Sequence, residues 1–329
     1  MNLKINNLIG SSIFFFFMVL WALGGTSCSK KGGNVADEPV PAGRVEIYFS
    51  NPNFSLSENG TNIKMRALAI DATEPQEKQI DNLYLFLFPH AGSHYKYYIT
   101  SSSFTGGSWI AAEGRIVLEL SSDIVSNCDV YLVANCSDLK NSLDAVDSKE
   151  KLKTVLRTYS DLWKIGTPLL MEGEATHDFT QNRKLKSVEL KRALAKLMIE
   201  VKLNKEHQSK QIKDYGYKYL NFGKKTYLLE RKEPQKAGDV QSHNNWQAIE
   251  KITKDSEGNI TSFRIATYIN EYDNTGNANA PRAEVSFRLP FNGSGPLPPP
   301  EFGEDKYEIK LPQKVVRNTL YDYTLDISQ

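Results

Sequence analysis

Between Val188 and Leu203, in VELKRALAKLMIEVKL, the apolar residues change parity. Val188 and Leu190 stand at even positions, whereas Ala193, Ala195, Leu197, Ile199, Val201 and Leu203 stand at odd ones. Successive side chains of a strand point to opposite faces, so one strand facing one core cannot carry such a flip. One strand must end near Lys191 and another must begin. Helical spacing also fits Leu190, Leu194, Leu197 and Val201, but the unbroken two-residue period to Leu203 favours strands. The stretch is therefore expected to be a domain junction that divides the chain into residues 45–190 and 191–329.

At 329 residues with 40% hydrophobic content the chain can bury two such cores. Forty basic and thirty-nine acidic residues leave a formal charge of +1. A nucleic-acid-binding face needs a clustered basic excess, so no nucleic acid is expected among the partners. Tyr and Phe are plentiful, and short alternating runs recur between Gly, Asn and Ser. That composition belongs to an all-β dominated, exported protein.

The amino terminus supports export. Lys4 precedes an apolar run, Ile13 to Leu23, that is too short to cross a bilayer as a helix and reads as a signal peptide over residues 1–27. It ends in Gly25-Thr26-Ser27-Cys28, which resembles a lipoprotein signal, although Gly25 stands where Leu is usual. Cys28 is thus the expected lipidation site, followed by a polar tether over residues 28–44 that holds the precursor at the outer membrane. Cys128 and Cys136 bracket the apolar segment DVYLVAN. Eight extended residues span roughly 26 Å, against about 4.4–6.8 Å between the Cα atoms of a disulfide. Two buried free thiols are expected.

Strands are predicted at Val45 to Ser50, Ile80 to Phe88, Tyr95 to Thr100, Arg115 to Leu120, Asp129 to Asn135, Gly166 to Met171 and Ser187 to Leu190. Two short helices are predicted over Ser137 to Val146 and Lys149 to Asp161, the second capped by Asp147 or Ser148 and facing inward through Leu152, Val155, Leu156 and Tyr159. In the second half, strands are predicted around Gly223, in a hairpin about Gly258, at Glu284 to Leu289, and at the end, where Tyr321, Tyr323, Leu325 and Ile327 share a face. Pro290 to Asp305, dense in Pro and Gly, is predicted to be an exposed loop outside any ladder.

No arrangement of side chains reads as catalytic. His90 and His94 are four apart, but Gly92 and Ser93 make the segment a turn with no acidic third ligand nearby. There is no phosphate-cradling glycine loop and no nucleophile elbow, so neither an enzyme nor a cofactor or metal site is expected. The tyrosines from Tyr215 to Tyr219 could form a glycan platform; sandwich core and sheet surface explain them more simply.

The order of segments carries a resemblance. GTSC, the strand VEIYFS, Arg66-Ala67-Leu68, IDNLYLFLF, DVYLVAN, RALAKLMIEVKL and RNTLYDYTLDI follow one another as in the FimA-type fimbrillins, the pilus subunits of the bacteroidete fimbrillin superfamily. Arg317-Asn318 followed by Tyr321 is the most specific of these pieces. The resemblance implies two β-sandwich domains of transthyretin-like topology, with short helices in the first. It also implies assembly outside the cell by strand exchange, after a trypsin-like protease cuts behind an arginine near the first strand. By position Arg66 resembles that arginine, and Val45, Ile47 and Phe49 mark the displaced strand. Arg44 is a second candidate, but a cut there would leave the strand in place. Stalk subunits of the family continue beyond the RN-x-x-Y strand, and this sequence stops at Gln329, which suits an accessory or tip subunit that accepts a strand without donating one. The implied partners are other fimbrial subunits, the processing protease, the outer membrane and a host or bacterial surface receptor. A membrane-anchoring fimbrial subunit, or a surface lipoprotein that binds glycan or protein without assembling, are the alternatives.

Overall fold

The computed structural model describes residues 39–57, 74–119, 126–159, 168–249, 251–292 and 304–327. Cys28 and Arg66 lie outside the described residues.

Strands dominate, as the alternation predicts. The first half holds β1 (Arg44–Ser50), β2 (Ser55–Leu56), β3 (Leu83–Pro89), β4 (Tyr95–Ile99), β5 (Ser103–Phe104), β6 (Gly107–Ile110), β7 (Arg115–Glu119), β8 (Asn127–Ala134), β9 (Leu156–Thr158), β10 (Met171–Asp178), β11 (Lys184–Glu189) and β12 (Lys191–Arg192). Two five-stranded sheets, ordered β11-β1-β7-β6-β5 and β12-β10-β8-β3-β4, face each other. Val45, Ile47, Ile116 and Leu118 from one meet Leu85, Leu87, Val130 and Leu132 from the other in a closed core. The outer face of β3 and β8 is apolar too, through Phe86, Phe88 and Val133, and is covered by two short helices, α1 (Lys140–Asp144) and α2 (Lys149–Leu152).

The second half holds β13 (Leu194–Lys202), β14 (Gly216–Leu220), β15 (Phe222–Gly223), β16 (Lys225–Tyr227), β17 (Val240–Gln241), β18 (Lys251–Lys254), β19 (Ile260–Asn270), β20 (Tyr272–Asp273), β21 (Glu284–Pro290), β22 (Glu304–Lys310), β23 (Lys314–Val315) and β24 (Thr319–Asp326). A sheet ordered β18-β19-β13-β24-β2 packs on a smaller one, β14-β21-β22. Their shared core takes the odd residues of β13, Ala195 to Val201, together with Tyr321, Tyr323 and Ile327. The two parities serve two cores. Val188 and Leu190 face the first core, Leu197 faces the second, and the two-residue β12 turns the chain between them. Residues 39–329 form one compact unit built on these two cores.

Three expectations are corrected. The second helix stops at Leu152, and Leu156 belongs to β9, which pairs with β16. Ser148 does cap it, accepting a hydrogen bond from the Lys151 amide. The β-branched Thr154 and Val155 that follow favour leaving the helix. The strand expected over Gly166 to Met171 starts late: β10 begins only at Met171, and residues 168–170 have no regular structure. The proline-rich stretch does join a ladder at both ends. Pro290 pairs with Glu304 and Leu289 with Asp305, because a proline at a strand end gives up little of the ladder. Cys128, within β8, and Cys136, just past its end, are free and buried. Burial holds both thiols above their ordinary range, Cys136 at about 12, so neither is a reactive nucleophile.

Candidate functional site at the seam between the sheets

The segment from Arg44 to Ser57 takes part in both sandwiches. β1 lies inside the first sheet, parallel to β11 and antiparallel to β7. Val45 and Ile47 are completely buried in the core. Phe49, placed with them by sequence, only packs against the edge of that core. An irregularity between Ile47 and Phe49 shifts the register to β11 and turns the ring aside. Gly114 makes the end of β1 fit: its φ is +58°, and a Cβ there would lie 2.4 Å from the Phe49 carbonyl. The chain then crosses the seam, and β2 adds in parallel to the start of β24, with Ser55 and Ser57 amides donating to the Asn318 and Leu320 carbonyls.

Arg192 holds the crossing. Its buried guanidinium donates from Nη1 to the Pro52 carbonyl at 2.7 Å and to Asn318 Oδ1 at 2.9 Å, and from Nε to the Glu77 carbonyl at 2.8 Å. The Phe54 ring lies 4.5 Å from the guanidinium carbon. Burial pulls the Arg192 pKa down, against the opposing pull of Glu77 and Tyr268.

Asn318 explains half of the RN-x-x-Y motif. Its φ is +53°, a left-handed turn that Asn tolerates better than most residues, and its side chain accepts from both the backbone amide and the guanidinium of Arg192. Arg317 explains the other half. It forks onto Glu271, reaches Glu172 Oε1 at 3.3 Å, and donates to the Leu228 and Tyr227 carbonyls at 2.8 and 3.0 Å. Tyr321 closes the motif by accepting from the Val316 amide through its hydroxyl.

A third cluster went unrecognised in the sequence. Glu77 is fully buried, 2.6 Å from Lys196 Nζ, and accepts a 2.6 Å hydrogen bond from the Tyr268 hydroxyl. Lys196 stands at an even position of β13, so alternation alone would give its side chain to solvent. The short 3-10 turn at Pro75–Glu77 covers that face instead.

Of the other candidates, Arg44 pairs with Glu119 at the exposed start of β1, ahead of the buried residues. His90 lies 3.5 Å from Asp129, which is already engaged by Lys149 and Thr176. Tyr215 and Tyr219 are core residues, which leaves no tyrosine platform there.

Glu172 supplies a pH prediction. Burial raises its pKa to about 7, and Arg317, committed mainly to Glu271, lowers it only in part. A carboxyl raised in the folded state stabilises fully below its unfolded value of about 4.3. That stability is lost as pH rises through about 7. Thermal unfolding between pH 5 and 8 should therefore show wild type losing on the order of 2–3 kcal/mol relative to Glu172→Gln. Parallel pH profiles for the two proteins would refute this assignment.

The fold is thus a pair of β-sandwiches tied together by one N-terminal segment, with β1 in the first and β2 in the second. The tip fimbrial protein Mfa3 of Porphyromonas gingivalis, solved with a C-terminal truncation, superimposes with a TM-score of 0.51 over 85% of this chain and 94% of that one. At 15% identity that likeness speaks for the fold. Residues 193–326 match the family described as minor fimbrium tip subunit MfA4, C-terminal. The minor fimbrium tip subunit MfA4 of Porphyromonas gingivalis is 34% identical over 332 residues, covering 92% of this chain and 95% of that protein. The chain belongs to the MfA4 minor fimbrium tip subunit family, and is a fimbrial subunit rather than an enzyme.

Proposed function

We propose that the chain is an adhesive tip or accessory subunit whose segment ahead of Arg66 is a removable strand. A protease cut after Arg66 frees residues up to 66, and an extended segment of a neighbouring subunit takes the vacated place. One observation carries this reading: a single N-terminal segment completes two sheets at once, through β1 between β7 and β11 and through β2 on β24. Burying Val45 and Ile47 is worth about 1.5–3 kcal/mol each, so an emptied groove favours refilling. Strand addition supplies both ladder hydrogen bonds and side-chain pockets. The division at 190/191 belongs to this reading: the core pockets vacated by Val45 and Ile47 lie in the first sandwich, and only the β2 pairing reaches the second. β24 stays in place, because its ladder to β13 and its buried Tyr321 and Tyr323 are structural parts of the second. The subunit thus accepts a strand and gives none. In the precursor, lipid on Cys28 holds the chain at the outer membrane until the cut.

The test is the amino terminus of the subunit recovered from fimbriae. It should begin at Ala67, and Arg66→Ala should leave an intact, unincorporated precursor. Cut protein incubated alone should form no filaments. Incorporation of the Arg66→Ala protein, or a fimbrial subunit that begins at lipidated Cys28, would contradict the proposal.

A further inference from the structure

We infer that Arg192 recognises the incoming segment, a step that rests on the strand-exchange reading above. Arg192 grips two kinds of chain. Asn318 and the Glu77 carbonyl stay with the subunit after a cut behind Arg66, whereas the Pro52 carbonyl and the Phe54 ring leave with the removed segment. Removal therefore strips a buried guanidinium of an acceptor and of the ring beside it. A buried unpaired donor is costly, and a charged one more so, so the site then favours any chain that restores both.

A second observation points the same way. Arg192 Nη2 is buried and makes no hydrogen bond among the described residues. The resident segment therefore underuses the guanidinium, and a replacement that also supplies an acceptor to Nη2 holds it better than the segment it displaces. The occupant defined by this geometry is an extended segment of another fimbrial subunit. It fills the Val45 and Ile47 pockets, then offers a backbone carbonyl where Pro52 stands and an aromatic ring where Phe54 stands. Arg192 reads the part that crosses the seam, as distinct from the part that fills the core.

The experiment uses the full chain, nicked by limited trypsin digestion within residues 58–73, and labelled synthetic peptides of residues 44–57. Exchange of the retained fragment for peptide is followed by native mass spectrometry and fluorescence. On wild-type protein, Phe54→Ala in the peptide should weaken binding about tenfold, and Phe54→Leu should not restore it. On the Arg192→Met protein, the Phe54→Ala penalty should shrink to what the ring's packing on Leu169 and Leu194 contributes, while Ile47→Ala weakens binding to both proteins equally. Should Arg192→Met fail to fold, the Phe54→Leu comparison on wild type decides, and full affinity there overturns the inference. An equal Phe54→Ala penalty on both proteins overturns it as well. If the fragment exchanges but shows no dependence on Phe54 or Arg192, strand exchange survives and the role of Arg192 falls. If no peptide displaces the fragment, both fall together.

Discussion

Arg317→Met should lower the stability of the folded chain by about 3–5 kcal/mol, the largest loss expected from a single substitution outside the cores. The guanidinium is surrounded by partners that have no substitute. Glu271 and Glu172 have almost wholly buried side chains; Glu271 would lose the fork it accepts, and Glu172 the guanidinium that partly offsets its burial. The Leu228 and Tyr227 carbonyls would lose their donors at the same time. Burial works against the charge on Arg317, yet the hydrogen bonds to Glu271 override it and raise the pKa, so the guanidinium keeps its charge. Arg317→Lys should rescue little, since an ammonium cannot reproduce the planar fork that spans two carboxylates and two carbonyls. Thermal unfolding of the two variants beside wild type measures this, with a fall in Tm of roughly 10 °C expected for Met. A fall of only one or two degrees would mean that the motif arginine is not what joins the sandwiches here.

The second large effect concerns Glu77 and Lys196. Either Lys196→Met or Glu77→Gln alone should cost about 3–5 kcal/mol, because each strands a buried partner. The double variant should recover much of that loss, since replacing a buried ion pair by neutral groups is often close to neutral. The Tyr268 hydroxyl is not orphaned in it, because the amide oxygen introduced by Glu77→Gln still accepts its hydrogen bond. A double-mutant cycle in urea gives the coupling, and additive losses would show that the pair acts independently. The same cycle separates the two sides of the seam. Glu77 lies beyond the proposed cut at Arg66, so these variants should weaken the precursor and the protein freed of its N-terminal segment alike. Phe54→Ala should weaken the precursor alone, because Phe54 leaves with the segment.

Much of this arrangement was legible in the residues. The odd alternation from Ala195 to Val201 predicted a strand with one face in a core, and that is the face β13 turns towards the smaller sheet. DVYLVAN predicted β8, and the Gly258 hairpin predicted β18 and β19. Val155 to Tyr159 was misassigned because an apolar face at helical spacing also suits a short strand when a partner is available. That partner is β16, a segment far along the chain. Glu304–Lys310 was missed because its strand follows a proline-rich stretch of sequence and alternates only weakly.

The sequence by itself determined most of the strands, the change of core near Lys191 and the family, because each is written in local periodicity or in the order of motifs. Only the tertiary structure decided what meets at the seam. Alternation distinguishes the two faces of a strand but does not say what covers either one. The even face of β13 was closed by a turn carrying Glu77, whose hydrogen bond from Tyr268 spans 191 residues of chain, and Arg192 met the Glu77 carbonyl across 115. Partners at such separations are selected by how the sheets pack and by the need to satisfy every buried charge, a condition on the whole molecule that no short stretch of residues records.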